Sequence, residues 1–375
     1  MQTDVVVIGG GVIGLSVAYA LALESVRVTV LDRQALGRSA SWAGAGMIAP
    51  ESTRHLDRPE AAQRSLSAVT HRLWAEELRE QTGIDTGYRR SGGLDIARTF
   101  AQLAGLYALR RSWEEEGIAY ELLEGTRVRA LEPSLRTDTA LFVPGRAQIR
   151  NPWHLRALEA ACQKLGVRLR PYTPTTGLVR TGDRLTAVLT PSGPIGCTHA
   201  ILAAGAWSGG ILRTQQMNDY PTPPVKGQIV LLNGPPGTLR HIVECGPHYL
   251  VPRDDGRILV GATEENAGYD DRPTVDGTRT LLNALADMAP SLGRLTVERT
   301  WAGLRPGNRD GRPYIGASTQ IPNLILATGH RRHGLQLSTG TALVVADLVL
   351  GRPPQIPLDS STSAPADIAT HPFRS

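Results

Sequence analysis

Residues 5–23 read VVVIGGGVIGLSVAYALAL, a run of nineteen without a charge. By length alone that suffices for a membrane span. Three consecutive glycines inside it argue otherwise, because a buried strand, a turn and a buried helix in series give the same hydropathy. The pattern therefore predicts a short parallel strand over 4–8, a glycine turn, and a helix over 12–23. A second strand, VRVTVLD, closes at Asp32. The buried-strand-into-glycine pattern returns at 199–208 (HAILAAGAWS) and at 323–329 (NLILATG), the latter leading through HRRHG into a helix over about 337–350. Residues 151–169 (NPWHLRALEAACQKLGVRL) predict an amphipathic helix feeding a further strand. Between these pieces the period changes. Segments 92–96, 140–143, 227–232 (GQIVLL), 249–252 and 257–263 (RILVGAT) alternate or run apolar as antiparallel strands do.

The first glycine turn carries chemistry. Gly9-Gly10-Gly11-Val12-Ile13-Gly14 fits GxGxxG between a strand and a helix. Gly9 permits the tight turn, Gly11 lets backbone approach a pyrophosphate, and Gly14 lets the helix pack closely on the strand. The helix N-terminus offers free N–H groups to phosphate. Asp32 lies eighteen residues beyond Gly14, where an acid accepts hydrogen bonds from ribose hydroxyls. Strand, helix and acid together point to a dinucleotide site rather than a chance turn. Residues 38–50, RSASWAGAGMIAP, then decide between cofactors. This small, nearly uncharged loop lets backbone lie against a flat ring, which a simple NAD dehydrogenase does not need. Its Trp42, Met47 and Ile48 are costly to expose in a mere surface loop. FAD is the expected cofactor.

The fold class is accordingly α/β: an FAD-binding Rossmann-like domain over 1–88, 146–218 and 301–352, with an interleaved β-rich substrate domain of antiparallel sheet over 89–145 and 219–300. The Pro- and Ser-rich residues 353–375 predict a disordered tail.

Composition narrows the function. Cys162, Cys197 and Cys245 form no CxxC pair and no metal-ligand cluster, so no metal is expected and a reducing cytosol fits. The residues before the apolar run carry no basic cluster, which makes it a poor signal peptide. Of 40 basic residues only Lys164 and Lys226 are lysines, and no basic run exceeds two. The net charge of +5 therefore predicts a solvated surface, not a nucleic-acid footprint. HExxH, P-loop and GxSxG motifs are absent, leaving zinc hydrolase, NTPase and α/β-hydrolase readings without support. Lys226, in PVKGQ, reads as a turn lysine at a domain junction. In TWAGLRPG, residues 300–307, nothing nearby pairs the charge of Arg305. Such an arginine reaches solvent, pairs with a more distant acid such as Glu298 or Asp310, or holds an anion. These three readings stay open on the residues alone, and Tyr249 reads equally as a core tyrosine.

VVVIGGGVIGLSVAYAL, SASWAGAGMIAP, PVKGQIVLL, HYLVPRDDGRILVGAT, WAGLRPGNRDGRPYIG and ATGHRRHG occur in that order. Together they resemble the D-amino-acid oxidase superfamily of FAD enzymes, and within it the glycine oxidases of the thiamine-biosynthesis type. The resemblance spans about residues 3–350. It implies oxidative deamination of glycine, with sarcosine or small D-amino acids as further substrates, to an imine or 2-oxo acid. O2 is reduced to H2O2, and the imine supplies thiazole formation in thiamine biosynthesis. The alternatives are another oxidase or dehydrogenase for D-amino or N-methyl amino acids, or a tRNA-modifying FAD enzyme.

Residue by residue, the resemblance gives Arg305 the substrate carboxylate, Tyr249 an added hydrogen bond to it, and Arg332 the arginine of the GHxRxG pattern. It puts cofactor contacts on Val12, Ile13, Asp32, Arg33, Ala40, Ser41, Ala45, Gly46 and Met47, and on Thr175 through its backbone. His330, Arg331, His333, Gly334, Leu335 and Gln336 would line the flavin. Arg331 stands where the family often has an aromatic residue and His333 where it often has asparagine, so either arginine of the pair is a candidate to face inward. Glu264 stands where one relative has methionine near the substrate. The implied partners are a small amino acid and O2, with no nucleic acid and no membrane. A cytoplasmic homo-oligomer, a tetramer, completes the expectation.

Overall fold

The computed structural model describes residues 3–358. The uncharged run is a strand, Val5–Ile8, a turn, and the helix Val12–Leu23, buried from Val12 to Ala22. Among the described residues no helix is long and apolar enough to cross a membrane. A helix apolar all round must be covered all round. This one lies against the last helix, Gly334–Val349, the helix Asn151–Lys164 and the strands beneath. Val5–Ile8 sits inside a six-stranded sheet in the order Tyr314–Ala317, Leu324–Thr328, His199–Leu202, Val5–Ile8, Val28–Leu31, Arg168–Arg170. Every pair is parallel except the edge pair of Tyr314–Ala317 with Leu324–Thr328. A three-stranded antiparallel sheet, Gly177–Thr181, Arg184–Thr190 and Gly193–Gly196, packs over the other face through Leu178, Leu185 and Val188.

The second large sheet has eight strands in the order Thr296–Pro306, Pro224–Asn233, Arg257–Gly261, His248–Pro252, Ile242–Cys245, Gly93–Ala97, Thr139–Val143, Glu121–Glu124. It is antiparallel as expected, apart from Ile242–Cys245, which runs parallel to Gly93–Ala97. The helix Val275–Met288 buries Leu281, Leu285 and Met288 against it. Around the site this sheet is kept thin by glycines. A Cβ on Gly227 would lie 2.3 Å from the Arg305 guanidinium, one on Gly261 2.5 Å from the Tyr249 ring, and one on Gly303 2.6 Å from Ala43.

Three expectations need revision. The division expected at 301 falls inside the strand Thr296–Pro306, which pairs from Thr296↔Asn233 to Pro306↔Pro224. WAGLRP thus belongs to the eight-stranded sheet. It forms an edge, where a terminal proline costs no ladder hydrogen bond. Lys226 is not a turn residue: it lies within Pro224–Asn233, 1% exposed, with its ammonium 3.7 Å from Glu265. The last helix begins at Gly334, three residues before the expected start. Most of the expected disordered tail, from 359 on, lies outside the described residues, while Ile356 and Leu358 pack against the core.

Candidate active site

One cavity of about 1050 Å³ runs between the two large sheets, and nearly all the residues singled out above line it. At one end is the glycine turn. Gly9 has φ +111°, and a Cβ there would sit 2.3 Å from the Ala203 carbonyl oxygen. Gly14 does not reach the cavity. A Cβ there would lie 1.8 Å from the Gly9 carbonyl oxygen, so it sets the distance between helix and turn. Gly11 caps the helix, and the Val12 N–H donates to the Ser41 hydroxyl at 2.9 Å. Ile13 and Ala40 complete this wall. Asp32 accepts from the backbone N–H groups of Gly10 at 2.8 Å and Gln34 at 2.9 Å, while burial pushes its pKa up. Arg33 lies over the Trp207 ring at 3.6 Å, a cation–π contact that the sequence did not suggest. Beside them the Thr175 hydroxyl is buried and has no partner among the described residues.

The loop after the second strand forms the middle of the wall. It is a short helix, Ala40–Ala43, then Gly44, Ala45 and Gly46, then the strand Met47–Ile48 paired with Ala147–Gln148. Gly46 has φ +77° and touches backbone at Ile149, where a Cβ would come within 2.0 Å of a carbonyl oxygen. The eight-stranded sheet holds this loop from behind. The Trp301 indole N–H donates to the Ala43 carbonyl at 3.0 Å. Arg253, buried, donates to the Ala45 carbonyl at 2.7 Å and to Gln148 Oε1 at 2.6 Å, and burial pulls its pKa down to about 9. Nothing in the sequence distinguishes Arg253 from the surface arginines around it.

The other end gathers charge. Arg305 is half-buried, and its guanidinium donates to the Thr263 carbonyl at 3.0 Å. No carboxylate among the described residues pairs with it. Glu298 is taken by Arg257 at 2.8 Å, and Asp310 makes no ion pair with Arg305. Enclosure, and then the nearby Arg332 charge, pull the Arg305 pKa below its ordinary value. Tyr249 stands close enough to exchange charge effects with Arg305. Burial pushes its phenol up to about 12, and its hydroxyl has no partner among the described residues. Arg332 is exposed to the cavity and unpaired among those residues. Arg331 instead bonds Glu264 at 2.9 Å. His330 is buried against Thr341 at 3.1 Å, and burial pulls it down to about 3. His333 faces the cavity, where enclosure and then Arg332 hold it below the imidazole range. Gly334, Leu335 and Gln336 open the last helix with no side-chain cap, so its N-terminal N–H groups stand at the cavity wall. Beyond Tyr249 lies a cluster missed by the sequence reading, Arg146 between Asp95 at 2.7 Å and Glu244 at 3.0 Å.

The cavity exceeds the roughly 300–1,000 Å³ of drug-sized ligand sites, as a dinucleotide requires. A glycine cradle that a Cβ would fill, a Thr175 hydroxyl with no partner among the described residues, and two helix N-termini at the cavity wall all fit FAD. Fold and site together define a dinucleotide-dependent oxidoreductase with three arginines, Arg305, Arg331 and Arg332, lining the far end of its cofactor cleft. The chain belongs to the FAD dependent oxidoreductase family (DAO), whose profile it matches over residues 4–348. It is 36% identical to the glycine oxidase of Pseudomonas putida over 95% of this chain and 97% of that one. It is 35% identical to the bifunctional protein ThiO/ThiG of Synechocystis sp. over 93% of this chain and 52% of the longer protein. The crystal structure of glycine oxidase from Geobacillus kaustophilus superimposes with a TM-score of 0.89 at 30% identity, covering 99% of each chain.

Proposed function

We propose that this protein is an FAD-dependent amino-acid oxidase acting on glycine, with sarcosine and small D-amino acids as further substrates. The observation that carries the reading is Arg305, a half-buried guanidinium on the cavity wall with no carboxylate of its own among the described residues. A substrate carboxylate supplies the missing charge through two parallel hydrogen bonds. The Tyr249 hydroxyl donates a third, and Arg332, which also lines the cavity and is unpaired among the described residues, adds attraction. The six-stranded side, with Gly9, Gly11, Asp32, Arg33, Ser41, the 45–47 loop and Thr175, holds the cofactor. The eight-stranded side holds the substrate. When bound there, FAD would supply the acceptor for a hydride from the substrate α-carbon, with O2 as the final oxidant and H2O2 as its product. The substrate amine must first lose its proton to solvent for that step, and once it has, no strong side-chain base is needed at the α-carbon. The last helix directs its N-terminal N–H groups and the positive end of its dipole at the cavity, where they stabilise negative charge. The imine is hydrolysed, or enters thiazole formation in thiamine biosynthesis. The same reading puts the protein in the cytoplasm as a homo-oligomer.

The test is a visible spectrum of the purified protein, followed by glycine without oxygen. A yellow protein that bleaches, then recovers in air with peroxide formed, meets the expectation. A yellow protein that glycine leaves unchanged retains FAD and rejects glycine.

A further inference from the structure

Arg331 and Arg332 are consecutive, yet their side chains meet different surroundings. Arg331 has φ +47°, a left-handed conformation that residues with a Cβ rarely adopt. Its guanidinium bonds Glu264 at 2.9 Å, and both side chains are partly exposed. Glu264 directly follows Thr263, whose carbonyl holds Arg305, so the two arginines are held by neighbouring residues of one segment. Arg305 feels the charges of Arg331 and Glu264 with opposite sign. Arg305, Arg331 and Arg332 all line the cavity. The substrate end therefore holds three guanidinium groups, of which Glu264 neutralises one.

We propose that Glu264 is a specificity-determining residue: it draws Arg331 to the rim and cancels its charge, so the site favours amino acids with one carboxylate over those with two. This rests on the reading of Arg305 as the carboxylate clamp. One substrate carboxylate is matched by Arg305 and Tyr249. Arg332 attracts the carboxylates of both substrate classes, but a second carboxylate that reaches Arg331 must displace Glu264 and then sit beside the displaced carboxylate. A half-exposed ion pair is itself weak. The discrimination comes chiefly from the cancelled Arg331 charge, which is withheld from a second carboxylate, and in smaller part from the like charge that remains, a repulsive element set against the wrong ligand. Removing Glu264 lifts that repulsion and also frees Arg331 to meet a second carboxylate. Removing both side chains lifts the repulsion but offers no new partner.

The experiment compares wild-type holoenzyme with Glu264→Gln, Arg331→Gln and the double variant. kcat/KM is measured for glycine, D-alanine, D-aspartate and iminodiacetate. Binding of acetate and malonate is followed in parallel by the change in flavin absorbance, at low and high salt. Glu264→Gln is expected to raise the iminodiacetate-to-glycine and D-aspartate-to-D-alanine ratios at least about five-fold, and malonate affinity relative to acetate likewise, a difference near 1 kcal/mol. High salt should shrink the gain, and the double variant should lose most of it. Ratios within about two-fold of wild type in Glu264→Gln would overturn the proposal. So would a double variant that keeps the whole gain, because Arg331 would then have no part. Should no form oxidise glycine, the oxidase reading fails by itself, and the acetate–malonate comparison still decides the role of Glu264.

Discussion

A guanidinium enclosed without a counter-charge is expensive, and Arg305 carries that cost on the wall of the cavity. Truncating one partner of an enclosed charge pair typically costs 2–5 kcal/mol. Arg305→Ala is therefore expected to cut kcat/KM for glycine by about 30- to 1,000-fold, about 2–4 kcal/mol, chiefly through KM. The flavin spectrum should persist; a colourless Arg305→Ala protein would mean that this arginine supports the cofactor instead. On the proposed reading Tyr249 gives the substrate carboxylate one hydrogen bond, so Tyr249→Phe should raise KM about five-fold, near 1 kcal/mol. Because its pKa lies at about 12, the phenol remains a donor throughout the neutral and mildly alkaline range and is lost only as pH approaches that value. A wild-type pH–rate profile that fell at mildly alkaline pH, with the fall absent in Tyr249→Phe, would contradict this assignment.

At the scale of elements, the strand–turn–helix at the N-terminus depends on contacts a few residues apart. Gly14→Ala puts a methyl 1.8 Å from the Gly9 carbonyl oxygen, a backbone atom with no side-chain freedom to move aside, so turn or helix must shift. A displacement near 1 Å at a positioned site costs about 100-fold. The variant is expected to purify without flavin and to bind added FAD about 100-fold more weakly, with the far-UV circular dichroism little changed. Full FAD occupancy would show that the turn tolerates the methyl. Locality also explains what could be read from the chain. The glycines, the helix Val12–Leu23 and Asp32 are legible because their constraints lie within one βαβ unit. The strand Thr296–Pro306 was missed as part of the eight-stranded sheet because its partner, Pro224–Asn233, lies far back in the chain. Phe100–Glu116 went unseen because it buries only Leu106 and Trp113, although the capping box of Thr99 and Gln102 was there to be found. No pattern could choose between Arg331 and Arg332, since the choice is made by Glu264, 67 residues away.

The molecule as a whole depends on imidazoles that must stay neutral. His71 lies fully buried on the helix Pro59–Thr82, and its Nε2–H donates to the Leu335 carbonyl in the first turn of the last helix at 2.9 Å. Burial pulls its pKa down to about 4 from 6.5. The unfolded chain takes up this proton as pH falls through 6.5, whereas the folded protein resists until about 4, so stability is lost across that window and not above it. The loss is on the order of 3 kcal/mol for His71, and His330 adds a similar term reaching to lower pH. His71→Gln, which keeps a donor for Leu335, should show a flatter decline of the urea midpoint between about pH 6.5 and 4. Equal declines in both proteins would place the acid sensitivity elsewhere. The order of the six-stranded sheet has a further consequence, in time. Val5–Ile8 meets Val28–Leu31 almost as soon as both are made, but its other neighbour is His199–Leu202, and beyond that Leu324–Thr328. At about 5–20 residues per second, the ribosome takes about 10–35 s to deliver that second neighbour. Through that interval one edge of the most apolar strand in the protein stands open, and a nascent chain in that condition needs either a chaperone or a slow, sheltered exit to avoid pairing with another copy of itself.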